Sequence, residues 1–165
     1  MGGMTRWLTT EEQRLWRGWI AASMLLPDRL NRDLQEQHGL TGTDYQILVE
    51  LSESPDRRMR MSTLADHVQL SRSRLSHQID RMAKAGLVTR ELCEQDGRGM
   101  FAVLTDQGWE KIVAAAPDHV ESVRRHLVDQ LTPEQFAAFG EACVTVAEAL
   151  RAGDDTSQPR AAGRT

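Results

Sequence analysis

Residues 62–104 constrain the fold more than any other stretch, because their local patterns leave one economical order: short helix, tight turn, second helix, hairpin. Ser62 is placed to cap a short helix through Val68, with Leu64, Ala65 and Val68 turned inward. Gln69-Leu70-Ser71 then reads as a tight connection, and Ser71 as the cap of the next helix, Arg72 to Ala85. Leu75, Ile79, Met82 and Ala83 recur at helical spacing and form its apolar face. Gly86 suits the left-handed residue that ends such a helix. Leu87 to Cys93 and Met100 to Leu104 read as two strands, joined by a loop that contains Gly97 and Gly99.

That order predicts a winged helix-turn-helix. A helix fits the major groove of B-DNA, and the preceding helix holds its N-terminus against the backbone. The residues opposite the apolar face support this: Ser73, His77, Asp80, Arg81 and Lys84, flanked by Arg74 and Ser76. Arginine can contact guanine edges bidentately, and serine can reach base edges or phosphates. The candidate DNA contacts are therefore Ser62, Ser71, Arg72, Ser73, Arg74, Ser76, His77 and Arg81 on the helices, with Arg98 in the glycine loop.

Taken alone, the net charge of −4 opposes nucleic acid, and it excludes a protein that coats DNA by bulk charge. Partitioned, it says the reverse. Residues 57–98 hold nine Lys/Arg and five Asp/Glu, a net +4, so the rest of the chain carries −8. A basic module lies in an acidic frame, as expected of a DNA-contacting domain. A basic helix face alone would be ambiguous, since winged helices also serve as protein-interaction modules without DNA function.

The flanks read as helices. Thr9 and Glu12 have capping-box spacing ahead of a helix from about Thr10 to Gln37, with Pro27 expected to kink it and Gly39 to stop it. A second helix is expected from Thr43 to about Ser52, and a small edge strand within Arg57-Arg58-Met59-Arg60-Met61. Thr105 is expected to cap a helix with Trp109, Ile112, Ala116, Val120, Val123 and Leu127 on one seam, kinked at Pro117. Thr132-Pro133-Glu134-Gln135 is a further helix start, followed by the seam Phe136, Phe139, Cys143, Val146 and Leu150. The seam spacing leaves packing within one chain and packing between two chains both open. Residues 152–165 are expected to be a disordered tail.

These residues resemble the MarR family (multiple antibiotic resistance regulators) of bacterial transcription factors, over about residues 10–150. The resemblance is carried by Leu40-Thr41 with Asp44-Tyr45-Gln46-Ile47-Leu48, by Met61-Ser62-Thr63-Leu64-Ala65, and by Leu70 through Ser76. It continues through Ile79 to Val88, and through Asp96-Gly97-Arg98-Gly99 followed by Leu104-Thr105-Asp106-Gln107-Gly108. It implies a single MarR-like domain over 1–165, mainly α with a small β-wing. The winged helix-turn-helix would occupy 40–104, flanked by dimerisation helices at 10–38 and 105–151. It also implies a homodimer joined through Leu15, Trp19, Val123, Leu127, Phe136 and Phe139, and bound to double-stranded DNA at a palindromic operator. Arg72 through His77 would enter the major groove, and Arg98, oriented by Asp96, the minor groove. At Gly97 the chain departs from the Pro or Asp of many relatives.

The family also implies repression relieved by a small, often phenolic effector, for which Trp16, Trp19 and Tyr45 are the candidate lining. Ordinary packing is the alternative use of such aromatics. A thiol-based regulator is a second alternative: Cys93 lies near Arg90 and Arg98 in sequence, whereas Cys143 reads as a small buried hydrophobe. No cofactor or metal is expected, because the five histidines form no ligand-spaced cluster. No catalytic constellation is recognisable, so no enzyme is expected. Without an export signal or a membrane-length apolar run, the expected location is the cytoplasm.

Overall fold

The computed structural model describes residues 5–93 and 99–155, with side chains through residue 152. The chain divides into two units, Met1–Val123 and Arg124–Thr165. Helix α1 (Thr10–His38) starts at the expected capping box: Thr9 accepts from the Glu12 amide, and the Glu12 carboxylate accepts from the Thr9 amide at 2.7 Å. It continues unbroken across Pro27 and ends at Gly39, whose φ of 65° suits glycine. Helix α2 (Gly42–Glu53) has its own capping box between Thr41 and Asp44.

Strand β1 (Arg58–Arg60) leads directly into helix α3 (Met61–His67). The expected cap at Ser62 is corrected here. Arg60, extended at φ −60° and ψ 138°, is already the N-cap residue, so Ser62 lies inside the first turn. Helix α4 (Arg72–Lys84) is capped by Ser71, as the sequence implies. Strands β2 (Val88–Leu92) and β3 (Met100–Leu104) pair antiparallel, and β1 pairs with the other edge of β3, giving the order β1-β3-β2. Register runs Arg60 to Phe101 on one side and Leu92 to Met100 on the other.

Helix α5 (Asp106–His126) starts where the Gly108 amide donates to the Thr105 hydroxyl at 2.9 Å, and it passes through Pro117 without a break. Ile47, Leu48, Leu51, Leu64, Leu75, Ile79, Met82 and Val88 are almost completely buried, so one core joins α2, α3, α4 and β2. Ala102, Leu104, Ile112 and Ala115 bring β3 and α5 into it. The fold is thus mainly α with a small antiparallel wing sheet.

In the second unit, a 3-10 turn (Val128–Gln130) precedes helix α6 (Pro133–Asp155). Thr132 and Gln135 form the reciprocal cap. Helix α6 passes the expected tail boundary at residue 152 and continues to Asp155. The remainder of that tail lies outside the described residues.

Candidate nucleic-acid interface

Helix α4 buries Leu75, Ile79 and Met82 and exposes Arg72, Ser73, Arg74 and His77. The amphipathic pattern therefore turns the residues of its first two turns outward together. The Ser71 hydroxyl accepts from the Arg74 amide at 3.3 Å, satisfying one of the amide donors left without a partner at a helix N-terminus. The positive end of the helix dipole adds to the two arginines, which makes this face a seat for anions.

Two of the sequence candidates are hydrogen-bonded within the fold. The Arg81 guanidinium reaches the buried Asp44 carboxylate at 2.7 and 2.9 Å, and Gln78 donates to the same carboxylate at 2.6 Å. Arg81 thus clamps α4 to α2, roughly 13 Å along the helix from Arg72 at 1.5 Å per residue. The Ser76 hydroxyl is half-buried and accepts from Arg90 Nη2 at 2.9 Å. Arg90 also donates to the Ser76 carbonyl at 2.8 Å and pairs with Asp80 at 2.9 Å, tying β2 to the recognition-helix candidate. Ser62 is exposed and borders the same cleft as Arg72 and Ser76. Asp96 and Arg98 lie outside the described residues.

Sequence reasoning passed over Arg60 and Arg90. Both line that cleft, of about 340 Å³, with Arg72. The basic-apolar alternation of Arg58-Met59-Arg60 was the available signal, since alternate residues of a strand share a face. Cys93 is buried, and Arg60 Nη2 donates to its Sγ at 3.2 Å. Cys143, expected as a small buried hydrophobe, is half-buried in the single chain, because its stretch of α6 is only partly covered.

A second cavity, of about 330 Å³, lies between α1, α2 and α5. Pro27, Leu30, Leu34, Tyr45, Val49 and His119 line most of it. Trp16 and Trp19 do not line it. They lie two to three turns nearer the α1 N-terminus and are exposed. The rings of Tyr45 and His119 stand 4.2 Å apart, tilted by 41°. Burial pushes the Tyr45 hydroxyl pKa up, with Glu53 adding to the effect. Burial pushes the His119 imidazole down from 6.5, and its Nδ1 has no partner.

The unfolded chain therefore binds the His119 proton more readily than the folded chain, so the stability this residue contributes is lost as pH falls below 6.5. Melting curves between about pH 7.5 and 5.5 should fall more steeply for the wild type than for His119→Gln. Parallel curves would contradict a half-buried imidazole whose charged form the fold disfavours. The nearby His38–Asp118 pair is common to both proteins and cancels in the comparison.

The structure of AbsC, a MarR family transcriptional regulator from Streptomyces coelicolor, superposes with a TM-score of 0.85 at 53% identity, covering 90% of this chain and 99% of AbsC. The chain belongs to the MarR family. The MarR sequence family model matches residues 38–99, from the end of α1 to the loop after β2. Sco3205, a MarR family transcriptional regulator from the same organism solved in complex with DNA, gives a TM-score of 0.86 at 47% identity. That match covers 96% of this chain and 95% of Sco3205. The HTH-type transcriptional regulator PecS of Dickeya dadantii is 27% identical over 108 residues, 65% of each chain. MhqR of Bacillus subtilis, also an HTH-type regulator, is 24% identical over 96 residues. The matched segments thus span a little under two thirds of these two relatives, 65% and 64%. Among the described residues, no helix of this MarR chain is long and apolar enough to cross a membrane.

Proposed function

We propose that this chain acts as a homodimeric repressor that binds a palindromic operator and is released by a small aromatic effector. The observation that carries the DNA reading is the outward face of α4: two arginines, a serine and a histidine over a fully buried apolar face. The DNA complex of Sco3205, at 47% identity, supports it. In this reading α4 enters the major groove and the β2–β3 hairpin reaches the minor groove, with Arg98, which falls between those strands in sequence, as the residue the resemblance assigns there. Selection of bound fragments from random DNA tests it. The expected product is a pseudo-palindrome whose half-site centres lie about 34–36 Å apart or a multiple of that. Binding without sequence preference would overturn it, and no binding at all would favour a protein-interaction module.

The dimer reading draws on exposed apolar side chains at both ends of the chain. In α1, Leu15 is 56% and Trp19 44% exposed; in α6, Phe136 is 38% and Phe139 36% exposed. Covering the exposed part of such a side chain gains roughly a third to a half of the about 1.5–3 kcal/mol of full burial, so the interface needs many such residues acting together. Val123 and Leu127 are half-buried in the single chain and are assigned to the same interface. Phe136→Glu should shift the sedimentation profile from dimer to monomer and abolish operator binding at the same protein concentration. A dimer unchanged by this substitution would remove α6 from the interface.

For the effector, the Tyr45–His119 cavity replaces the tryptophan pair as the proposed seat. Its volume of about 330 Å³ falls at the small end of ligand pockets, and its lining is mostly apolar with the His119 nitrogen unsatisfied. An aromatic ring with one polar substituent matches that lining.

A further inference from the structure

We propose that His119 makes the cavity between α1, α2 and α5 selective for an anionic effector, seated together with a proton that the imidazole takes up from solvent. This rests on the effector reading above and gives it a charge and a pH dependence. Within the cavity, His119 Nδ1 is buried with no hydrogen-bond partner among the described residues. Pro27, Leu30, Leu34 and Val49 give the cavity apolar walls. A lone charge against such walls, on ligand or on imidazole, is costly. An anion beside an imidazolium offsets both costs, because each charge stabilises the other and Nδ1–H gains the acceptor it lacks. No covalent bond to the ligand forms.

The other polar groups suit an anion. The Tyr45 ring stands 4.2 Å from that of His119, and its raised pKa keeps the hydroxyl protonated, as a donor. Gln46 adds an amide donor, and the Asn31 carbonyl oxygen is engaged by the Gly42 amide at 2.9 Å. Of the titratable side chains on α1, α2 and α5, only Tyr45 and His119 line the cavity. Acids around it are paired elsewhere. Asp33 of α1 accepts from Ser122 at 2.5 Å and pairs with Arg29 at 3.1 Å. Asp44 of α2 pairs with Arg81 at 2.7 Å, and Asp118 of α5 with His38 of α1 at 2.9 Å. Glu53 of α2 acts on Tyr45. Burial is the cause that lowers the His119 pKa below 6.5, so the imidazole is neutral at about pH 7 until an anion arrives. A bound anion raises that pKa. Affinity for the anion therefore rises as pH falls and levels off once the unliganded imidazole is itself protonated, below 6.5. A neutral ligand gains nothing from the proton.

Benzoate and its neutral analogue benzamide, titrated calorimetrically into the full-length protein, test this between about pH 8 and 6, where a carboxylic acid of pKa about 4 stays ionised. Leaving out DNA keeps the exposed His77 of α4 out of the readout. Benzoate affinity should rise by up to about tenfold per pH unit as pH falls. Its apparent enthalpy should differ between buffers of unlike ionisation enthalpy, which marks proton uptake. Benzamide should bind without such a rise. In His119→Gln, with its melting temperature at about pH 7.5 intact, the benzoate profile should be flat. Tyr45→Phe should weaken benzoate by about tenfold and keep the slope, so the assignment is tested even where His119→Gln fails to fold. A pH-independent benzoate affinity in the wild type, or a slope that survives in His119→Gln, would overturn the proposal. A slope lost in Tyr45→Phe would move the proton to the phenol and overturn it as well. Benzamide binding without benzoate binding would also overturn it while leaving the effector reading in place. If neither probe binds, the effector reading itself fails.

Discussion

Replacing Gly108 with alanine is expected to destabilise the folded chain by about 2–4 kcal/mol, read as a lowered urea midpoint at unchanged slope. The cause is local and steric. A Cβ at Gly108 would overlap the Leu87 carbonyl oxygen and come within 2.7 Å of Leu104 Cδ1. The first of these is backbone, which cannot rotate out of the way. The first turn of α5 would have to move off the chain entering β2, and with it the bond from the Gly108 amide to Thr105 Oγ1. The Thr105 hydroxyl itself donates to the Gly86 carbonyl at 2.6 Å, so one displacement loosens both the cap of α5 and the turn after α4. Gly18→Ala is the control. A Cβ there meets nothing within 4 Å, so alanine in mid-helix should be neutral or stabilising by up to about 1 kcal/mol. Gly108→Ala within about 0.5 kcal/mol of wild type would contradict the close approach.

What could be read from the sequence follows from the range of the interactions. The caps at Thr9, Thr41, Ser71 and Thr132 depend on residues at most three positions away. Of these, the pairs at Thr9 and Thr132 and the cap at Ser71 were legible as spacing. The apolar face of α4 was equally plain, because Leu75, Ile79 and Met82 repeat at helical spacing whatever they pack against. Ser62 failed as a cap because the strand before it fixes where α3 begins, and strand pairing with β3 is not a local property.

The site was legible only where exposure and chemistry coincide. Nothing near Arg81 in sequence says that its partner is Asp44, 37 residues away. Nothing near Arg90 points back to Ser76, 14 residues earlier. A wheel diagram gives such arginines an outward direction and no partner. The cavity shows the same limit. Tyr45 was recognised as aromatic, but its neighbour His119 comes from α5, and the tryptophans grouped with it occupy a different stretch of α1. Composition groups residues by type, whereas a cavity groups them by packing.

The double substitution Arg72→Ala and Arg74→Ala is expected to cost about 100-fold or more in operator affinity with little change in melting temperature. Each arginine–base contact contributes about 1–3 kcal/mol of discrimination, and tenfold in affinity corresponds to about 1.4 kcal/mol. Both side chains are exposed, and neither makes an ion pair with another described residue, so their removal leaves no unsatisfied partner in the fold. Helix propensity favours alanine at both positions, which protects α4. The form of the loss assigns each arginine its role. A contact to a base edge lowers operator affinity more than random-DNA affinity and relaxes the sequence preference. A contact to phosphate lowers both equally and reduces the salt slope by about one. Arg72 lies at the helix N-terminus and borders the cleft beside β1 and β2, whereas Arg74 does not line it, so the single variants should separate: a slope change for Arg72→Ala, a specificity change for Arg74→Ala. If the double variant keeps operator affinity within about twofold, α4 is not the reading element, whatever the wing contributes.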